Sequence, residues 1–92
     1  MKVNFYAMLR SIVGGKTVEV DFRDGMTVRD LVNDLAAHYP ALHPELLDEN
    51  GNLHGHVHVY VNGRDVPFLV NQFDTTLTLE DAVNIFPPVG GG

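Results

Sequence analysis

The sequence predicts an α+β fold in which one main helix packs across a mixed sheet of four to five strands. Three observations carry this. Apolar and polar residues alternate with period two near both ends of the chain. A single central stretch instead repeats its apolar residues at three and four. Turn dipeptides, Gly14-Gly15 and Asn62-Gly63, separate the alternating runs. Ninety-two residues, 45% of them hydrophobic and 20% charged, suit one domain with a modest core.

The elements follow in order. Residues 2–8 alternate, with Val3, Phe5 and Ala7 on one side and Asn4, Tyr6 and Met8 on the other, which predicts a strand. Gly14-Gly15 turns the chain into a second strand over 16–22, where Val18, Val20 and Phe22 alternate with polar residues. The two read as a hairpin. Val28, Leu31, Val32, Leu35, Ala36 and Tyr39 then form one helical stripe. Thr27 is placed to cap it, with Asp30 completing a capping box and Met26 and Leu31 a hydrophobic staple. Pro40 ends it. Residues 41–55 read as a loop with one short helical turn after Pro44. In "HVHVYV", Val57, Val59 and Val61 face one way, and Asn62-Gly63 makes a tight hairpin turn. Val66, Phe68 and Leu69 continue as a short strand or irregular turn. Leu77 and Leu79 lead to a turn at Glu80-Asp81, and Val83 and Ile85 alternate in a last strand that Pro87-Pro88 terminates. With the last strand set beside the first, this order corresponds to the β-grasp, or ubiquitin-like, arrangement. Residues 1–86 are expected to form the domain and 87–92 a flexible reactive tail.

Composition excludes several functions. Six basic against twelve acidic residues give a net charge of −6, which argues against nonspecific binding to nucleic acid or an anionic membrane. The absence of cysteine removes disulfides, thiolate metal sites and cysteine nucleophiles. It also fits a cytoplasmic location. No apolar run reaches the length of a membrane span, and the first residues are too polar for a signal peptide. Ser11 has no nucleophile-elbow context, and no glycine-rich stretch has Walker spacing, so the chain itself is not expected to bind ATP. Asp48-Glu49 and Glu80-Asp81 read as turn residues rather than paired catalytic acids.

The chain closes on "IFPPVGGG", residues 85–92. A ubiquitin-like order ending this way resembles the MoaD/ThiS family of sulfur-carrier proteins, and most the MoaD branch. That branch ends in Phe-Pro-Pro-Val, a small residue and Gly-Gly. Phe86, Pro87, Pro88 and Val89 match, Gly90 takes the small position, and Gly91-Gly92 form the final pair. The opening "VNFYAMLR" and the "VNG" of residues 61–63 are also similar.

The resemblance implies a carrier rather than an enzyme. An E1-like adenylyltransferase (MoeB/ThiF-like) would use ATP to adenylate the carboxylate of Gly92. Sulfur would then convert it to a thiocarboxylate that donates sulfur in molybdopterin synthesis. The chain would act there as the small subunit beside a large, MoaE-like synthase subunit. Glycine suits a tail that threads a narrow channel, because it has no Cβ. The prolines stiffen the base of the tail formed by Pro87, Pro88, Val89, Gly90 and Gly91. The reacting group is then the main-chain terminus, and no side chain need be catalytic. Two alternatives share the same adenylate: a ubiquitin-like modifier joined through Gly92 to target lysines, and a sulfur donor for tRNA thiolation.

Alternation turns Phe86 outward with Tyr6 and Met8, which marks an expected partner face. His54, His56 and His58 fall at i, i+2 and i+4 and would share one strand face. No carboxylate or cysteine stands at a clear ligand spacing beside them, so a solvated or partner-facing stripe is expected rather than a metal site.

Overall fold

In the computed structural model, which describes residues 1–88, Val3 and Phe5 are fully buried and the alternation that buries them stops at Phe5. The first strand, β1, is Lys2–Phe5 and not 2–8. Ala7 takes a left-handed φ of 53° and is exposed, and the chain enters a short helix α1 at Leu9–Val13. The competing signal was Leu9, Ile12 and Val13 at helical spacing, of which Leu9 is fully buried and the other two pack partly against the core. Gly14-Gly15 is therefore the end of a helix rather than a hairpin turn. Gly14 has a φ of 82°, and the N–H groups of Gly14 and Gly15 both donate to the Arg10 carbonyl, at 2.9 and 3.1 Å. The second strand β2, Thr17–Glu19, does pair antiparallel with β1, setting Lys2 opposite Glu19 and Asn4 opposite Thr17. It is shorter than expected, although Val20 beyond it is buried.

The helix α2, Val28–His38, begins and ends as its sequence requires. The Thr27 hydroxyl accepts from the Asp30 N–H at 3.1 Å, and the Asp30 carboxylate accepts from the Thr27 N–H at 3.0 Å. Val28, Leu31, Val32, Leu35 and Ala36 turn into the core, with Met26 buried just before the cap. After Pro40 the chain makes a 3₁₀ turn, Pro40–Leu42, and a one-turn helix α3, His43–Leu46, which bury Leu42 and Leu46. Two turns thus stand where one was expected. Asp48 folds the following loop by accepting from the Asn50 and Asn52 N–H groups at 2.8 and 3.0 Å, as a turn residue should.

Strand β3, His58–Val61, turns through Asn62 and Gly63 into a two-residue strand β4, Arg64–Asp65. Asn62 and Gly63 have φ values of 52° and 83°, the left-handed pair that a tight hairpin needs. Val66–Phe68 and Gln72–Asp74 are 3₁₀ turns that bury Val66 and Phe73 while leaving Phe68 and Val70 exposed. Asp81 accepts from the Thr78 N–H and hydroxyl and from the Asn62 amide, while Asn62 Oδ1 accepts from the Ala82 N–H. These bonds tie the β3–β4 turn to the start of the last strand, β5, at Val83–Phe86.

The five strands run in the order β2-β1-β5-β3-β4. The last strand lies at the centre, parallel to β1 and antiparallel to β3. One sheet face carries Val3, Phe5, Val59, Val61, Val83 and Ile85 into the core shared with α2. The opposite face is left for the side chains considered next.

Candidate functional site

Two rungs cross the uncovered sheet face. Register places Thr17, Asn4, Asn84, Tyr60 and Asp65 on one line, each opposite the next. This rung is stitched by side chains. Asn84 Oδ1 accepts from Asn4 Nδ2 at 3.1 Å and from Tyr6 Oη at 3.0 Å, and Thr17 Oγ1 donates to Asn4 Oδ1 at 2.8 Å. The second rung is aromatic. Phe86 stands opposite His58 across the β3–β5 pair. Its ring stacks on Tyr6 at 4.0 Å and 11°, and meets Tyr60 edge-on at 5.5 Å and 90°. The edge-on contact suits rings whose faces and edges carry opposite partial charge.

The polypeptide around Tyr6 is fixed from the other side. Arg10 Nε donates to the Phe5 carbonyl at 2.8 Å, and the Arg10 guanidinium lies 5.1 Å from the Tyr6 ring centroid. Tyr6 and Phe86 are thereby half-buried against each other, whereas Met8 keeps 46% of its surface exposed. Met8 arrives by the turn at Ala7 and not by continuing β1. Ala7, Met8, His58, Tyr60, Phe86, Pro87 and Pro88 line an apolar groove of about 750 Å³. Of the residues expected in the tail, Pro87 is buried and Pro88 exposed. The chain therefore leaves the central strand along the groove wall. Val89, Gly90, Gly91 and Gly92 lie outside the described residues.

Sequence reasoning singles out Tyr6, Met8 and Phe86; Met8 and Phe86 line this groove, whereas Tyr6 reaches it only through its stack on Phe86. It missed Tyr60, whose signal was its i, i+2 spacing from His58 on the side opposite Val59 and Val61. The histidine stripe is corrected. The strand begins only at His58, and His54 and His56 lie in the preceding loop and turn, so the three do not share a strand face. Gly55 and the turn it enters interrupt the alternation. His54 Nε2 lies 3.1 Å from the Pro44 carbonyl, and His58 Nδ1 lies 2.7 Å from Asp65 Oδ2. Among the described residues, no three histidine, aspartate or glutamate side chains are placed to hold one metal ion. No helix among them is long and apolar enough to cross a membrane.

A five-stranded mixed sheet with a crossing helix, its last strand central and running into Pro87-Pro88, defines a ubiquitin-like β-grasp protein. The profile of the ThiS family matches residues 3–92, and the chain belongs to this family of ubiquitin-like sulfur carriers. It is 39% identical to small archaeal modifier protein 3 of Haloferax volcanii over all 92 residues, which cover 98% of that protein. The crystal structure of SAMP1 from Haloferax volcanii superposes with a TM-score of 0.85 at 30% identity, covering 99% of this chain and 97% of that one. A putative molybdopterin converting factor, subunit 1, from Pyrococcus furiosus superposes at 0.76 with 30% identity, covering 96% and 95%.

Proposed function

We propose that this chain is a carrier whose reacting group is the Gly92 carboxylate. A carboxylate resists substitution until it gains a better leaving group. An E1-like adenylyltransferase of the MoeB/ThiF kind supplies one. A Gly92 carboxylate oxygen attacks the α-phosphorus of ATP, pyrophosphate departs, and an acyl-adenylate remains. Hydrosulfide then attacks the carbonyl carbon, loses its proton and displaces AMP to leave the thiocarboxylate. ATP is bound by the partner, and this chain contributes position and no catalytic side chain.

The observation that carries the reading is the exit of β5. Phe86, Pro87 and Pro88 line the groove, so a partner seated there also receives the segment that follows. Stiff prolines at the base fix the direction of departure. The glycines beyond them let a bare backbone approach a nucleotide. The first acceptor we assign is the molybdopterin precursor, held by a large, MoaE-like synthase subunit. The likeness to a putative molybdopterin converting factor supports this assignment.

A second reading is favoured by the 39% identity to a protein named as a small archaeal modifier. In it, a lysine amine of a target attacks the same activated carbonyl and an isopeptide bond forms. Incubation with ATP, the cognate activating enzyme and a sulfur donor, followed by intact-mass measurement, separates the two. The carrier gains the mass difference between sulfur and oxygen on Gly92. The modifier appears as an adduct on a target lysine. An unchanged Gly92 with every cognate activator contradicts both.

A further inference from the structure

Two Asn-Gly pairs stand in the chain, Asn50-Gly51 and Asn62-Gly63. In such a pair the glycine nitrogen can reach the asparagine amide carbon, because no Cβ crowds its approach. The fold sets the same dipeptide in two unlike places. Asn62 turns the hairpin beside the central strand. Its Nδ2 donates to Asp81 Oδ1 at 2.9 Å, and its Oδ1 accepts from the Ala82 N–H at 2.9 Å. Its backbone N–H donates to the Ala82 carbonyl at 2.8 Å. Freeing this amide means parting the end of β3 from the start of β5. Asn50 instead sits in the loop between Leu47 and Leu53, which meet across a single antiparallel bridge. Asn50 is exposed, and its side chain has no hydrogen-bond partner among the described residues; only its backbone N–H is engaged, by Asp48.

We infer that Asn50 is a site of spontaneous deamidation in the folded chain, and that the bonds of Asn62 to Asp81 and Ala82 shield Asn62 from the same reaction. The Gly51 nitrogen attacks Asn50 Cγ. Its proton passes through solvent to the side-chain amide nitrogen, which leaves as ammonia, and a five-membered succinimide remains. Water then opens the ring at either carbonyl, to aspartate or isoaspartate. Water is the only co-reactant, and nothing is oxidised or reduced.

The turn at Asn50 resists only locally. The Gly51 N–H donates to the Asp48 carbonyl at 3.0 Å, and Asp48 Oδ1 accepts from the Asn50 and Asn52 N–H groups. These bonds must open before the attack, and exposed turns open at the low end of a fold's local stabilities. Buried Leu46 and Leu47 hold the base of the loop meanwhile. The product adds one negative charge, and its isoaspartate form adds a carbon to the backbone inside the Asp48 turn. At Asn62 the same conversion would set a carboxylate against Asp81, where an amide now donates. Two carboxylates at that distance repel, and the tie between the β3–β4 turn and β5 would be lost. The loop pair therefore accumulates the modification without cost to the sheet, and the hairpin pair is spared it.

The test is incubation of the full chain at mildly alkaline pH, folded and in concentrated urea, followed by intact-mass measurement and peptide mapping. The folded chain should gain the mass difference between a hydroxyl and an amino group, mapped to residue 50. Asn62 should react about tenfold more slowly than Asn50, because its two side-chain bonds must break first. In urea the two should react at similar rates. Asn50→Gln should abolish the gain in the folded chain. Asp81→Ala, which removes the acceptor of the Asn62 amide, should quicken the reaction at Asn62 severalfold and leave Asn50 unchanged. An Asn62 that reacts as fast as Asn50 in the folded chain would overturn the inference. So would an Asn50 that stays intact while the urea-unfolded chain converts, or an Asn62 that stays equally slow in Asp81→Ala.

Discussion

Phe86 serves both the fold and the proposed docking face. Its ring stacks on Tyr6 and meets Tyr60 edge-on, and aromatic pairs of this kind contribute about 0.5–1.5 kcal/mol each beyond area burial. Phe86→Ala should therefore cost about 2–3 kcal/mol of stability as well as partner affinity, read by urea unfolding and by titration. Met8 separates the two effects. At 46% exposure it supports little of the core, so Met8→Ala should change stability by less than about 0.5 kcal/mol while weakening partner binding. Unchanged binding in Met8→Ala would remove Met8 from the docking face. The outward direction of Phe86 was legible because Val83 and Ile85 alternate cleanly inside the sheet. The company it keeps was less so. Tyr60 lies 26 residues earlier, and only the register of β3 on β5 brings it across. The His58–Asp65 contact is likewise a diagonal across a hairpin, invisible to a one-dimensional spacing rule.

Among the elements, α2 and the β3–β4 turn were the most legible, because each is specified by a local device. The capping box at Thr27 and Asp30 needs only three residues of separation, and Thr27→Ala should cost about 1 kcal/mol in thermal or urea unfolding. Asn62 has two tasks. It adopts a left-handed φ, and its amide bridges to Asp81 and Ala82 at 2.9 Å each. Asn62→Ala should lose both and cost about 2–3 kcal/mol, whereas Asn62→Gly, which keeps the φ, should cost about 1 kcal/mol less. Equal losses in the two variants would show that the backbone conformation contributes nothing. The elements read less well were those where two periods overlap. Residues 7–13 satisfy alternation at one end and helical spacing at the other. The burial of Leu9 and the left-handed Gly14 decide for a helix. Residues 40–46 carry two prolines, which conceal a pair of short helical turns that bury Leu42 and Leu46.

For the molecule as a whole, the carboxylates of Asp30 and Asp81 are two of those through which acid should act on stability. Hydrogen bonds from the Thr27 N–H and hydroxyl hold the Asp30 carboxyl below the usual carboxylate range. Burial raises the Asp81 carboxyl, but the Thr78 N–H, the Asn62 amide and the Thr78 hydroxyl together outweigh it, and the net shift is downward. Both folded values are depressed. Their contribution is therefore fully present above the unfolded carboxylate value, about 4, and is lost as pH falls through the folded values. Melting temperature should be nearly flat from pH 7 to 5 and fall below about 4, with a shallower fall in Asp81→Asn. An equal slope in that variant would exclude Asp81 from the acid transition. The central place of β5 was reached from element order and not from any period, since no spacing rule pairs residue 83 with residue 3. That placement matters most for the proposed function, because it brings Phe86, Pro87 and Pro88 to the groove. The account's central claim, that the Gly92 carboxylate is the reacting group, is tested most directly by intact-mass analysis after incubation with ATP, the cognate activating enzyme and a sulfur donor. The native chain should gain the sulfur-for-oxygen mass difference on its last residue, and a chain lacking Gly92 should gain nothing while melting at the same temperature. A Gly92 that stays unmodified, or a C-terminally extended chain that reacts equally well without being trimmed, would contradict it.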